Sequence, residues 1–177
     1  MAGEVKVLRG MYSIWAAYPQ ADVDWENPSE ADITAAVAAG LVVDISCAFT
    51  DDSGDSLNAT DPETDDSQSI CDIAAVETPT FENYEAELDG FRNKPGTSDT
   101  PVYETFFDLF NGVGRQYWLI KRVDKEQGTP IEEGDIISSF LFETDYPVDL
   151  GEDGGMILFG ARFKPQGELH VYKTVGA

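Results

Sequence analysis

Basic side chains are missing from most of the first half of this chain. No lysine, arginine or histidine stands between Gly10 and Phe91, while nineteen Asp and Glu do. Residues 1–91 hold two basic and twenty acidic side chains, residues 92–177 nine and fourteen, and the whole chain carries a formal charge of −23. Binding to a phosphate backbone requires basic side chains that displace counterions, so this balance excludes a nucleic-acid-binding protein of the usual kind. Long apolar runs are missing as well. None approaches the roughly 20 residues of a membrane span, and no basic start precedes an apolar stretch, so neither membrane insertion nor secretion by the usual route is expected. Cysteine is scarce. Cys47 and Cys71 have neither the number nor the spacing of a disulfide scaffold or a zinc site, and they read as reduced, half-buried residues of two strands.

Catalytic signals are equally thin. His170 is the one histidine, and it falls inside an apolar-alternating run, where a packing role is the simplest reading. No turn marks a nucleophile beside it. Acidic pairs occur everywhere because acids do, and therefore point to no particular hydrolysis. Asp51-Asp-Ser-Gly-Asp55 and Asp149-Leu-Gly-Glu-Asp-Gly154 look like cation loops, yet neither has the alternating acids, central glycine and closing glutamate of an EF-hand. Gly112-Val-Gly-Arg follows a helix instead of preceding one, so it cradles no phosphate. Trp15, Trp25 and Trp118 read as core or interface residues before they read as a sugar platform. No enzyme activity, metal or cofactor is expected.

What the chain does contain is a 42% apolar composition over 177 residues, enough for one domain with a substantial core. Met11–Ala17 reads as a strand stopped by Pro19. Ser29 caps a short alanine-rich helix over 30–39, closed by Gly40. Leu41–Phe49 reads as a strand, and 51–68, with seven acids and only Leu57 and Ala59 apolar, as a long acidic loop. From Thr80 to Arg92 the alternation is clean: Tyr84, Ala86 and Leu88 against Glu85, Glu87 and Asp89. Pro101–Asn111 is the helix. Val102, Tyr103, Phe106, Phe107, Leu109 and Phe110 share one face, Thr100 stands at the cap, Pro101 sits where a missing N–H costs nothing, and Gly112 follows. Four further strands are predicted at 116–123, 136–145, 156–163 and 169–175, separated by Gly/Pro-rich turns. This is a mainly β, antiparallel sandwich or barrel with one flanking helix at about 101–111.

Several of these strand sequences, in this order, resemble the major tail proteins of long-tailed actinobacterial bacteriophages. The resemblance is carried by Thr64-Asp-Asp-Ser-Gln-Ser-Ile-Cys-Asp-Ile-Ala-Ala-Val-Glu-Thr-Pro-Thr-Phe-Glu-Asn-Tyr-Glu-Ala-Glu-Leu88 and by Tyr117-Trp-Leu-Ile-Lys-Arg122. Phe142-Glu-Thr-Asp-Tyr-Pro147 and Phe159-Gly-Ala-Arg-Phe-Lys-Pro165 extend it, so that it spans most of 40–177. Residues 19–39 are the least family-like stretch.

The resemblance implies a virion tail-tube subunit: an arm over 1–10, then a single β-sandwich of the tail-tube type over 11–177 carrying the acidic loop 51–68. Such subunits form hexameric rings, assembled in the host cytoplasm, that stack into a conduit for DNA ejection. The implied partners are further copies of the chain and other tail proteins at the tube ends, with DNA passing through without specific binding. Subunit contacts are expected from Lys6 and Arg9 on the arm and from Asp51, Asp52, Asp55, Asp61, Asp65 and Asp66 in the loop, and Phe106, Phe107 and Phe110 as the core face of the helix. Two alternatives stay open: another tail ring component, such as a terminator or tail-tip ring, and a monomeric acidic binding module using Trp15 or Trp118.

Overall fold

In the computed structural model the described residues are 12–49, 55–65, 78–94, 100–153 and 156–177. Eight antiparallel strands run in the order β2-β1-β5-β6-β8-β4-β3, with β7 paired to β8 off that path. They are β1 Tyr12–Ala17, β2 Val42–Asp44, β3 Asp55–Asp65, β4 Thr78–Arg92, β5 Gln116–Val123, β6 Ile136–Thr144, β7 Val148–Asp153 and β8 Met156–Thr174. The path folds into two layers because β8 serves both. Its residues 157–162 pair with β4, and its residues 163–174 pair with β6. One layer is therefore β2-β1-β5-β6 with the second half of β8, and the other is β3-β4 with the first half of β8 and β7. The mainly β, sandwich-like class read from the sequence is what the structure shows.

Two cores follow from the alternation of the strands. Ile14, Ala16, Tyr117, Leu119, Phe140 and Phe142 point from the first layer toward Leu57, Tyr84, Ala86, Leu88, Phe159 and Ala161 of the second. On the opposite side of the first layer, Trp15, Ala17, Ile120 and Ile137 pack against Trp25, Ile131 and α1 (Glu30–Ala38) through Ile33 and Ala36. Both faces of β1 and β5 are dry, which is why these strands read as nearly unbroken apolar runs. Ser29 caps α1 by accepting a hydrogen bond from the Asp32 amide at 3.2 Å, and Gly40 follows at φ +71°. The tryptophans are packing residues: Trp15 and Trp25 are buried, and Trp25 lies 6.2 Å from Trp118.

Helix α2, Pro101–Phe110, closes the first core. Phe106, Leu109 and Phe110 are buried in it, while Phe107, Tyr103 and Val102 are half-buried against it. Thr100 occupies the cap position in extended backbone, but its side chain makes no capping bond; its carbonyl instead accepts from the Asn93 side-chain amide at 3.0 Å. The Phe106 ring sits over a backbone groove at Gly90, where a Cβ would come within 2.8 Å of it. That close approach requires glycine in mid-strand.

Five expectations are corrected. Residues 55–65 are not loop but strand: β3 pairs with β4 from Asp55↔Leu88 to Asp65↔Thr78, with register shifts around Pro62. Leu57 points inward from it, and the β4 ladder holds it; among the described residues the strand pairs on one side only, where a proline is tolerated. The strand expected at 41–49 is only Val42–Asp44. It ends where the Asp44 carboxylate accepts from the Ser46 amide at 2.9 Å and draws Ser46–Ala48 into a 3-10 turn. The exposed, free Cys47 lies in that turn rather than in a strand, and Cys71 lies outside the described residues. The turn expected at Glu152 is preceded by β7, a bulged hairpin partner of β8 with Gly151 at φ +91°.

The last correction concerns Lys164-Pro-Gln-Gly167, which does not reverse the chain. It is a bulge inside the continuous β8, with Gly167 at φ +84°. Tyr84 stabilises it: its hydroxyl donates to the Leu141 carbonyl at 2.7 Å and accepts from the amides of Gln166 and Glu168 at 2.9 and 3.1 Å. Burial pushes the Tyr84 hydroxyl's pKa up, and the amides that donate to it offset part of that rise.

Candidate assembly surfaces

The sequence-predicted contact residues fall in three places. Lys6, Arg9, Asp51, Asp52 and Asp66 lie outside the described residues. Asp55, Asp61 and Asp65 stand on β3, whose described ladder is to β4 alone; Asp61 is exposed. Phe106, Phe107 and Phe110 face their own subunit's sandwich, with Phe106 edge-on to Phe49, Phe110 and Phe159 at 5.4–5.7 Å.

Among the described residues, β3 and β7 each pair on one side only, so each presents an outer edge of backbone donors and acceptors. Such edges template association with another chain. Beside β7, Tyr146, Val148 and Leu150 are exposed; at the far end of the first layer, Val123, Ile136, Val171 and Tyr172 are. Neither apolar cluster was singled out in the sequence, because each is short, interrupted by polar residues and drawn from separate segments.

Cations of the described surface are largely spent on acids of the same subunit. Arg162 spans Glu87 and Asp89 at 2.7 Å each, Lys164 reaches Asp145 at 3.0 Å, and Arg92 reaches Asp149 at 3.6 Å while lying 4.4 Å from the Phe107 ring centroid. The hydrogen bond from Lys164 holds the Asp145 carboxyl below the usual range. Glu85 and Glu87 remain on the wet face of β4. The outward surface thus stays acidic locally as well as in sum.

A buried ionic cluster anchors the β5–β6 connection. Arg122 is fully buried; its guanidinium donates to Asp135 at 3.1 Å and to the carbonyls of Pro130 and Thr129 at 2.7 and 2.8 Å. Lys125 adds contacts of 2.8 Å to Asp135 and 2.7 Å to Glu132. Burial pushes the Asp135 carboxyl up, but hydrogen bonds from Lys125, the Glu132 amide and Arg122 outweigh it, and the carboxyl lies below its ordinary value. Lys125 is raised in turn by its hydrogen bonds to the Asp135 and then the Glu132 carboxylate. Sequence reading missed this cluster; its one signal was Arg122 standing in phase with the apolar Trp118 and Ile120 along β5.

His170 stacks on Trp118 at 5.7 Å, and the described residues hold no group of three or more His, Cys, Asp or Glu with metal-binding geometry. The described residues thus define a two-layer β-sandwich with open strand edges and an acidic outer surface. The chain matches the family described as phage tail tube protein over residues 1–177, and it belongs to that family. The match carries the tube family and leaves the host group open. No curated protein matches the chain.

Proposed function

We propose that this chain is the major tail tube subunit of its phage, forming hexameric rings that stack into the conduit through which DNA leaves the virion. The observation that carries the proposal is the family match over the full 177 residues. The unpaired edges of β3 and β7 support it as surfaces by which copies join. The acidic surface supports passage without adhesion, since like-charged phosphate gains nothing by binding there. On this reading the protein catalyses nothing, needs no cofactor, assembles in the host cytoplasm and meets other tail proteins at the tube ends. The number six comes from the resemblance to actinobacterial tail proteins.

Negative-stain microscopy of the purified full-length protein over a salt series tests the proposal. Long tubes with six-fold end views are expected. Isolated rings that never stack would replace the reading with a terminator or tail-tip component, and single particles under every condition would leave a monomeric module.

A further inference from the structure

Helix α2 ends at a joint held on both sides. On the helix side, the Phe107 carbonyl accepts from the Asn111 amide at 2.9 Å, the Asp108 carbonyl from the Arg115 guanidinium at 3.0 Å and the Leu109 carbonyl from the Tyr117 hydroxyl at 2.9 Å. On the far side, the Gly114 amide donates to the Thr144 carbonyl at 2.9 Å and the Arg115 amide to the Thr144 hydroxyl at 3.0 Å. The Asn111 side chain and the Gly112 amide lie between these anchors. Asn111 is exposed, and among the described residues no hydrogen bond holds its side-chain amide or the Gly112 N–H. Glycine at 112 leaves room for Arg115 to fold back onto α2: a Cβ there would stand 2.6 Å from its Nε and 2.7 Å from its Cζ.

The same glycine makes Asn111 chemically distinct, since none of the other four asparagines precedes a glycine. The side-chain carbonyl carbon of an asparagine and the next residue's amide nitrogen are spaced to close a five-membered ring, and a side chain on that next residue is the main obstacle. Glycine removes the obstacle and leaves the backbone free to turn. At Asn111 ψ is −8°, which keeps the Gly112 nitrogen turned away from the side chain, so closure waits for rotation about that bond. Gly112 and Gly114, the latter at φ +78°, can absorb the rotation before it reaches the Thr144 anchor. The Arg115 guanidinium packed on Gly112 sets positive charge beside the nitrogen that must lose its proton.

We infer that Asn111 is a site of self-modification in the folded protein, losing its side-chain amide to the Gly112 nitrogen, and that the conversion loosens the end of α2. The Gly112 nitrogen, deprotonated by solvent base, attacks Asn111 Cγ. The N–Cγ bond forms, the Cγ–Nδ2 bond breaks, and the amide takes up a proton and leaves as ammonia. Water then opens the succinimide. Breaking the new bond gives aspartate; breaking the original peptide C–N bond gives isoaspartate, whose main chain runs through Cγ and is one carbon longer. No oxidant is needed, and the inference does not depend on what the chain assembles into. Either product sets a carboxylate at the C-terminus of α2, where the last carbonyls already concentrate negative charge. Arg115 is the cation beside it, and pairing with the new carboxylate draws it off the Asp108 carbonyl. The longer main chain of isoaspartate also pulls on the turn that carries the buried Phe110.

Full-length protein kept folded in warm, mildly alkaline buffer tests this, read by peptide mass mapping with aspartate and isoaspartate products resolved by chromatography. Asn111 should convert well ahead of the other four asparagines, faster as the pH rises, and Asn111→Gln, whose ring would need six members, should stay intact at that position. Aged wild type should melt below fresh wild type, while aged and fresh Asn111→Gln melt together. A sample unfolded in urea is the control. Conversion in urea but not in the folded protein overturns the inference, because the fold then locks ψ at Asn111. Conversion in neither sample, or at another asparagine first, overturns it too. Extensive conversion at Asn111 with unchanged melting overturns the loosened helix end alone.

Discussion

Replacing Phe106 by alanine should destabilise the free subunit, and the size of the loss discriminates between two roles for α2. The ring is fully buried, meets Phe49, Phe110 and Phe159 edge-on, and covers Gly90. Removing it forfeits about 1.5–3 kcal/mol of apolar transfer, and the gap left between two rigid strands adds a cavity penalty. Together about 3–5 kcal/mol is expected, a large share of a total near 5–15 kcal/mol. At roughly 2–4 °C per kcal/mol for a domain of this size, the melting temperature should fall by about 6–20 °C. Phe107, half-buried beside Arg92, should cost distinctly less. Gly90→Ala sharpens the test. Its new Cβ would meet both the Phe106 ring at 2.8 Å and the Ala48 carbonyl at 2.7 Å. The double variant should recover part of the Gly90→Ala loss through the vacated ring and none of the part due to backbone. The assay is thermal unfolding by circular dichroism at low salt, with sedimentation confirming a monomer. If the Phe106→Ala monomer melts with wild type and only assembly fails, α2 docks on a neighbour and the packing argument is wrong.

Tyr84→Phe should lower stability by about 1–3 kcal/mol, since the amides of Gln166 and Glu168 lose their acceptor, and urea midpoints would read it; an unchanged midpoint would show that the bulge holds itself. Arg122→Met strands Asp135 without its buried partner and should cost about 3–5 kcal/mol in the same assay; a loss under 1 kcal/mol would mean Lys125 alone suffices. Because the folded Asp135 pKa is depressed, its contribution is complete above the ordinary aspartate value near 3.8 and fades as pH falls through the lower folded value. The stability difference between wild type and Asp135→Asn should therefore shrink below about pH 4, and a difference constant with pH would refute the linkage. Assembly should strengthen with salt, because copies of charge −23 repel and screening lengths shorten to about 8 Å at 0.15 M; light scattering that falls steadily along a salt series contradicts this.

Local pattern was legible wherever a segment had one dry and one wet face. Tyr84, Ala86 and Leu88 alternate with acids along β4, and α2 concentrates its aromatics on a single side; periodicity alone determined both elements, and Ser29 and Gly40 marked the ends of α1. Charge also belongs to composition, so the acidic surface needed no coordinates. Tertiary structure decided everything that a neighbour supplies. Asp55–Asp65 has the composition of a loop and becomes a strand because β4 offers it a ladder. Lys164–Gly167 has the composition of a turn and becomes a bulge because Tyr84, some eighty residues earlier, captures its amides. Arg122 is buried because the loop after it folds back with carbonyls and a carboxylate. That Ile136 and Tyr172 stand exposed was decided by what packs beside them in the fold. Side-chain periodicity records only whether a face is dry; which strand dries it, and where that covering stops, is set by contacts between residues far apart in the chain.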